Sequence, residues 1–276
     1  MPTPPPVLGD GPDDTVAAFV RRACDDPGVV GLVLSGSQVH DGMPTVRSDH
    51  DLHVVLREWG ASPLSELDGF RSGHLDLVVL TLEEFRRRGF PPEAWSRYAY
   101  VHAEVLLDRL DGGITAILDR KRTLDDEEAH TTAAGCLDAY VNQTYRSLKS
   151  YRDGRETLGH LDAAESVPYA LETLFALHRR VRPYNKYLRW ELERRPLGDE
   201  RWDVGRLLPV VRRILADGDP ETQRALFRDI EPLARAAGHG PVLDAWGGDL
   251  GLLRGVSGGG PGGRAGFPGS SGPSGT

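Results

Sequence analysis

The order of hydrophobic periods along the chain predicts an α+β protein. A mixed β-sheet with flanking helices fills the first half, and an α-helical bundle fills the second. Three observations lead there. Short apolar runs, rich in β-branched residues, recur at 29–34, 52–56 and 75–80, each bounded by turn residues, and read as strands. From about Asp125 the pattern changes to helical spacing with short connections, as in a bundle. Finally, residues 256–276 are almost all Gly, Ser and Pro, a composition with no core-forming pattern. The expected division is a flexible arm over 1–12, a first domain over 13–124, a helical substrate-binding domain over 125–250 and a disordered tail over 251–276.

Each element follows from local chemistry. Asp13, Asp14 and Thr15 supply a cap and first-turn acids to a helix whose apolar residues are Val16, Phe19, Val20 and Ala23, and Pro27-Gly28 ends it. A strand follows to Leu34. The polar segment from Gln38 to Arg47 predicts a short helix and then a loop. A second strand runs from Asp49 to about Arg57, and 58–73 is a turn-rich loop with a little helix. A third covers His74 to Leu80, and Thr81 caps a short helix whose last turn holds Arg86, Arg87 and Arg88, favourable at a helix C-terminus. A fourth strand is expected from Tyr100 to Leu107, then a turn at Asp111-Gly112-Gly113 and a helix from Ile114 to Arg122. In the second half, one long helix stops at Asp153-Gly154 and another spans Leu161 to Arg180 with a bend near Pro168. The segment from Pro183 to Trp190 is dense in aromatic and basic residues. Two helices follow, over Val204–Ala216 and Pro220–Ala237.

Composition bounds the function. Of 276 residues, 27% are charged and the net charge is −8, which argues against broad DNA binding and suits a cationic small substrate. Cys24 and Cys136 stand far apart with no metal-type spacing, as reduced thiols of a cytoplasmic protein do. No apolar stretch approaches the ~20 residues of a membrane span, and Met-Pro-Thr-Pro-Pro-Pro has no signal-peptide pattern, so no membrane partner is expected.

The chemistry concentrates between Ser35 and Asp51. The first strand runs into Ser35-Gly36-Ser37. After eleven intervening residues comes Asp49-His50-Asp51 at the head of the second strand. Gly36 allows a sharp turn and close backbone approach to a ligand. Ser37 offers a hydroxyl and an N–H at an expected helix N-terminus, where phosphate is favoured. On a strand, Asp49 and Asp51 share a face, and two such carboxylates repel unless a cation lies between them. Hard oxygen ligands suit Mg²⁺ shared with phosphates. Asp76, near the start of the third strand, adds a third carboxylate, and such a trio can hold two metal ions for in-line phosphoryl displacement. Arg47, two residues before Asp49, either touches nucleotide phosphates or is a solvated loop residue. By parity His53 shares a face with Asp49 and Asp51, His74 with Asp76, and His102 with Glu104. Their spacing matches no zinc motif, and they read as hydrogen-bonded polar residues at a sheet edge.

A Gly-Ser pair ahead of Asp-x-Asp, with a later strand carboxylate, resembles the nucleotidyltransferase fold of the DNA polymerase β superfamily, and in particular the antibiotic nucleotidyltransferases. The likeness covers roughly residues 28 to 108. It implies an Mg²⁺-dependent enzyme with two ions, held by Asp49, Asp51 and Asp76, that moves a nucleoside monophosphate, AMP from ATP by preference, to a hydroxyl. Ser35, Gly36 and Ser37 would hold the phosphate tail. Asp76 would bind the second ion or accept the hydroxyl proton; Glu104, which the family motif does not cover, is the alternative base by its strand position. In similar proteins a helical C-terminal domain supplies cations to the triphosphate, which points to Lys149 and Lys186. The expected acceptor is a small molecule such as an aminoglycoside or lincosamide. A protein or RNA acceptor and a non-catalytic nucleotide-binding module are the alternatives.

Overall fold

The computed structural model describes residues 12–256. It is an α+β protein with one four-stranded mixed sheet, and it divides into two compact units. The first comprises residues up to Thr131 together with His178–Arg195, and the second Thr132–Leu177 together with the chain from Pro196. The expected arm before Pro12 and the tail from 257 lie outside the described residues. Residues 251–254, assigned above to that tail, instead belong to a terminal helix, α10 (Leu250–Arg254), because Leu250 and Leu253 are buried.

The sheet of the first unit has strand order β3-β2-β1-β4. Helix α1 (Pro12–Asp25) leads into β1 (Val29–Ser35), which runs antiparallel to β2 (His50–Leu56) and to β4 (Glu104–Asp108). Strand β3 (Leu75–Thr81) lies parallel to β2 at the opposite edge. Alternation along the strands splits the core in two. Leu32, Leu52, Val54, Leu75, Leu77 and Val79 face one way and pack with Phe19 and Ala23 of α1. Val33, Val55 and Leu80 face the other way and pack with Phe85 of α2 (Leu82–Arg87) and with Ile114 and Leu118 of α3 (Gly113–Arg122). Helix α2 starts with a complete capping box between Thr81 and Glu84, as its sequence requires.

Three expectations are corrected in this unit. Ala94–Tyr100 forms 3-10 turns, and the fourth strand starts only at Glu104. Tyr98, Tyr100, Val101 and Ala103 are all buried, so this run packs on every side where a strand would alternate. The Ser-Gly-Ser turn leads into a four-residue 3-10 segment, Gly36–Val39, too short to carry the expected helix dipole. The third concerns the chain after Leu177. Helix α5 (Glu156–Leu177) begins before Leu161, runs through Pro168 and stops before Arg180. The following segment, with α6 (Leu188–Arg194), belongs to the first unit, where Val181, Tyr184 and Tyr187 pack with Tyr98 and Val101.

The second unit is helical. It holds most of α4 (Asp126–Arg152), all of α5, then α7 (Val204–Asp217), α8 (Pro220–Ala236), α9 (Gly240–Asp244) and α10. Its interior is mainly apolar, with Leu137, Tyr140, Leu174, Trp202, Ile214, Phe227 and Ile230 buried alongside Thr144, Ser147, Thr173 and Gln223. Among the described residues no helix is long and apolar enough to cross a membrane.

Candidate functional site

Strand register places three polar side chains in one row on the first unit. Ser35 is paired with Asp51 across β1 and β2, and Asp51 with Asp76 across β2 and β3. Directly paired strand residues point to the same face, so both carboxylates stand side by side where the two parallel strands begin. Asp49, just before β2, joins them. One carboxylate oxygen of each of Asp49, Asp51 and Asp76 lies within 4.8 Å of the others.

This cluster is held at an electrostatic cost. Burial, and then the charges of Asp49 and Asp76, push the Asp51 carboxyl up to about 6; Lys186 and Arg71 pull it the other way. The Arg71 guanidinium meets Asp76 at 3.1 Å but is itself well exposed. A hard divalent cation would relieve this repulsion. The donor set is all oxygen, and all three carboxylates are partly accessible, so the residues present fit Mg²⁺.

Gly36 is required by the same geometry. Its φ is +74°, and a Cβ there would collide with Asp51 Oδ2 and stand 2.7 Å from Asp51 Cγ. The turn and the carboxylate therefore occupy adjoining space, and only glycine allows both. Ser35 is buried, with Oγ 3.1 Å from His53 Nε2, while His53 Nδ1 lies 3.5 Å from the Tyr100 hydroxyl. Burial, with Arg88 and Lys121 nearby, lowers His53 to about 4, so its ring is neutral and structural.

A cleft of about 310 Å³ opens over this row, with Ser35, Gly36, Asp51, Asp76 and Lys186 in its walls. Lys186 arrives on the segment that returns to the first unit. That segment is anchored by the buried Glu191, whose Oε2 accepts from Tyr98 at 2.9 Å and lies 2.7 Å from His102 Nε2. Its Oε1 accepts from Arg180 at 2.6 Å and from Arg195 at 3.3 Å. These partners overcome burial and hold Glu191 down at about 2. His40 completes the link. Its ring stacks on Tyr187 at 3.9 Å, and its Nδ1 lies 2.7 Å from the Gly36 carbonyl.

Of the residues selected from sequence, the structure gathers Ser35, Gly36, Asp49, Asp51, Asp76 and Lys186. Four stand elsewhere. Ser37 is buried beside the cleft, its carbonyl accepting from the His40 N–H. Arg47 is exposed in the Thr45–Ser48 turn. Lys149 is in the second unit, exposed on α4, with Nζ 6.0 Å from the Tyr145 ring centre. Glu104 is corrected as a base. It pairs with Leu34, which packs on the α1 side of the sheet, so its exposed side chain stands on the face opposite Asp51 and Asp76. His102, expected beside Glu104 on a strand, precedes the strand and binds Glu191. Residues missed from sequence are His40, Arg71, Tyr98 and Glu191. A glutamate in Trp190-Glu191-Leu192-Glu193-Arg194 reads as solvated, and nothing local marks it as buried.

No protein-family profile and no curated protein matches this sequence. Among solved structures, a nucleotidyltransferase-like protein from Exiguobacterium sibiricum is similar over 88% of this chain and 77% of its own, with 10% identity and a TM-score of 0.43. That likeness is too loose to assign an activity.

Proposed function

We propose that the protein is an Mg²⁺-dependent nucleotidyltransferase that moves a nucleoside monophosphate from a nucleoside triphosphate to a hydroxyl group. The observation that carries this reading is the in-register pair Asp51–Asp76, joined by Asp49 and abutting the glycine turn at Gly36. Asp49, Asp51 and Asp76 would hold divalent metal, which supplies charge neutralisation to the phosphates when bound. Gly36 leaves the backbone open on the cleft side. Lys186 brings a positive charge toward the same wall, where it favours a polyphosphate. The acceptor oxygen attacks the α-phosphorus and a new O–P bond forms. The bond from that phosphorus to the bridging oxygen breaks, and pyrophosphate leaves with the electron pair. The hydroxyl proton passes to a carboxylate, for which Asp76 is the choice because Glu104 is on the wrong face.

ATP is the first donor to test, and the acceptors to test include nucleotides as well as small molecules such as aminoglycosides and lincosamides. The experiment is pyrophosphate release from each nucleoside triphosphate with Mg²⁺, across a panel of hydroxyl compounds, followed by mass spectrometry. Asp51→Asn runs beside the wild type. The expected result is an acceptor heavier by one nucleotide with wild type and not with the variant. Equal product from both proteins would overturn the reading, as would bound nucleotide with no turnover across donors and acceptors.

A further inference from the structure

Building on that reading of Asp76, we infer that the acceptor is a nucleoside phosphate, held in an arginine-lined cleft along β3. This second cleft has a volume of about 870 Å³ and shares Asp76, Val78 and Arg88 with the smaller one. It therefore opens directly onto the proposed proton acceptor. Five arginines line it: Arg71 before β3, Arg86 and Arg87 in α2, Arg88 just after it, and Arg120 in α3.

The acids of the cleft are already engaged. Asp68 accepts from the Val79 N–H at 2.9 Å. Glu84 closes the α2 capping box and takes the Trp59 indole N–H at 3.3 Å. Glu93 pairs with Arg88 at 3.3 Å, and Asp76 with Arg71 at 3.1 Å. The arginines are less committed. Among the described residues Arg87 has one ion pair, with the exposed Glu83 at 3.7 Å. Arg120 lies over the Phe90 ring at 5.3 Å, and among the described residues neither it nor Arg86 has an ion pair.

Helix-dipole complementarity accounts for basic residues in the last turns of α2 and α3, but not for Arg71 before β3, nor for the convergence of all five arginines on one cleft. A planar, permanently charged fork is the side chain best matched to phosphate oxygens. Trp59 adds the second half of the argument. It is 49% exposed on the cleft wall, yet its indole N–H is tethered to Glu84. An exposed, oriented aromatic beside arginines is a stacking surface for a base. Phosphate and base together describe a nucleotide, either free or at the end of a single strand. The same charges disfavour a polycationic acceptor.

The test reads the cleft without donor or metal. A fluorescein-labelled hexa-adenylate RNA ending in 3′-deoxyadenosine is titrated with the full chain, and binding is followed by anisotropy. Wild type should bind with an affinity that falls as salt rises. Arg86→Glu combined with Arg120→Glu should weaken binding about tenfold or more, and Trp59→Ala about fivefold. Displacement by AMP identifies the free nucleotide as the ligand, and displacement by unlabelled hexamer alone identifies the strand end. Absence of binding, equal binding by the charge-reversed protein, or displacement by an aminoglycoside would overturn the inference. If the cleft fails while nucleotide is still transferred to an uncharged or cationic hydroxyl compound, the transfer reading stands and the acceptor class does not. If the probe binds through the arginines but no triphosphate turns over with any hydroxyl compound, the transfer reading falls and the phosphate cleft stands.

Discussion

Glu191 is the group on which the placement of Lys186 depends, and replacing it with glutamine tests that directly. Glutamine keeps the shape and removes the charge. The carboxyl of Glu191 is held at about 2, against 4.5 ordinarily. At 1.36 kcal/mol per pH unit, ionised Glu191 stabilises the fold by ~3 kcal/mol at pH 7. An independent route gives a similar figure, since breaking a buried ion pair on one side costs about 3–5 kcal/mol. The sign follows from the lowered value. The contribution is complete above pH 4.5 and disappears as pH falls through about 2, so at pH 3 it should be about half as large. The assay is urea unfolding of wild type and Glu191→Gln at pH 7 and pH 3, with hydrogen exchange over residues 188–194 as the local probe. The variant should lose ~3 kcal/mol at pH 7 and about half that at pH 3. A loss below ~0.5 kcal/mol at pH 7, or an equal loss at both pH values, would refute the reasoning.

Three further outcomes are expected. Gly36→Ala should cost ~1–3 kcal/mol, because φ is +74° and the new methyl displaces the Asp51 carboxylate; Mn²⁺ binding, followed by electron paramagnetic resonance, should fall with it. Asp51→Asn should stabilise the metal-free protein by ~1 kcal/mol, since it removes like-charge repulsion at a partly exposed site. Thermal melts of that variant should no longer respond to Mn²⁺, whereas wild type is raised by it. Lys121 is buried and lowered to about 7, by burial first and then by Arg97 and Arg88. The unfolded chain binds its proton up to about pH 10, so wild-type stability should rise through pH 7–10 relative to Lys121→Met. Between pH 7.5 and 9 the difference should grow by up to ~2 kcal/mol, measured by urea unfolding.

The parts of this protein legible in the sequence are those fixed by short-range pattern. Alternation and turn residues located β1, β2 and β3 to within a residue or two, and the Gly-Ser and Asp-x-Asp spacing selected Gly36, Asp49, Asp51 and Asp76, which the sheet brings into one neighbourhood. What stayed hidden depends on partners far along the chain. Tyr100 resembles a strand residue until His53 stands beside its hydroxyl, and nothing local to Tyr98 shows that its hydroxyl donates to Glu191. Glu104 sits on a real strand, but the side it faces follows from its pairing with Leu34, which no local pattern announces. The return of residues 178–195 to the first unit combines a small aromatic cluster with buried polar contacts around Glu191, and for the latter hydrophobic periodicity carries no signal.

The geometry of the carboxylate row is enforced by the core beneath it. Asp76 shares β3 with Leu75, Leu77 and Val79, which all face the α1 side. Sliding β3 by one residue against β2 would turn these three away from that core and drive Asp76 into it. Each apolar side chain withdrawn costs about 1.5–3 kcal/mol, and an unpaired carboxylate in their place adds several more. Val78 and Leu80 would replace part of the apolar surface lost, but the buried carboxylate would remain, so the slip is a large cost against the ~5–15 kcal/mol that holds a typical domain together. The repulsion among Asp49, Asp51 and Asp76 cannot relax by that route. It persists in the folded protein, where Arg71 and Lys186 offset part of it and proton uptake or a bound cation would relieve more. A packing constraint on one face of the sheet thus maintains a cation-seeking site on the other.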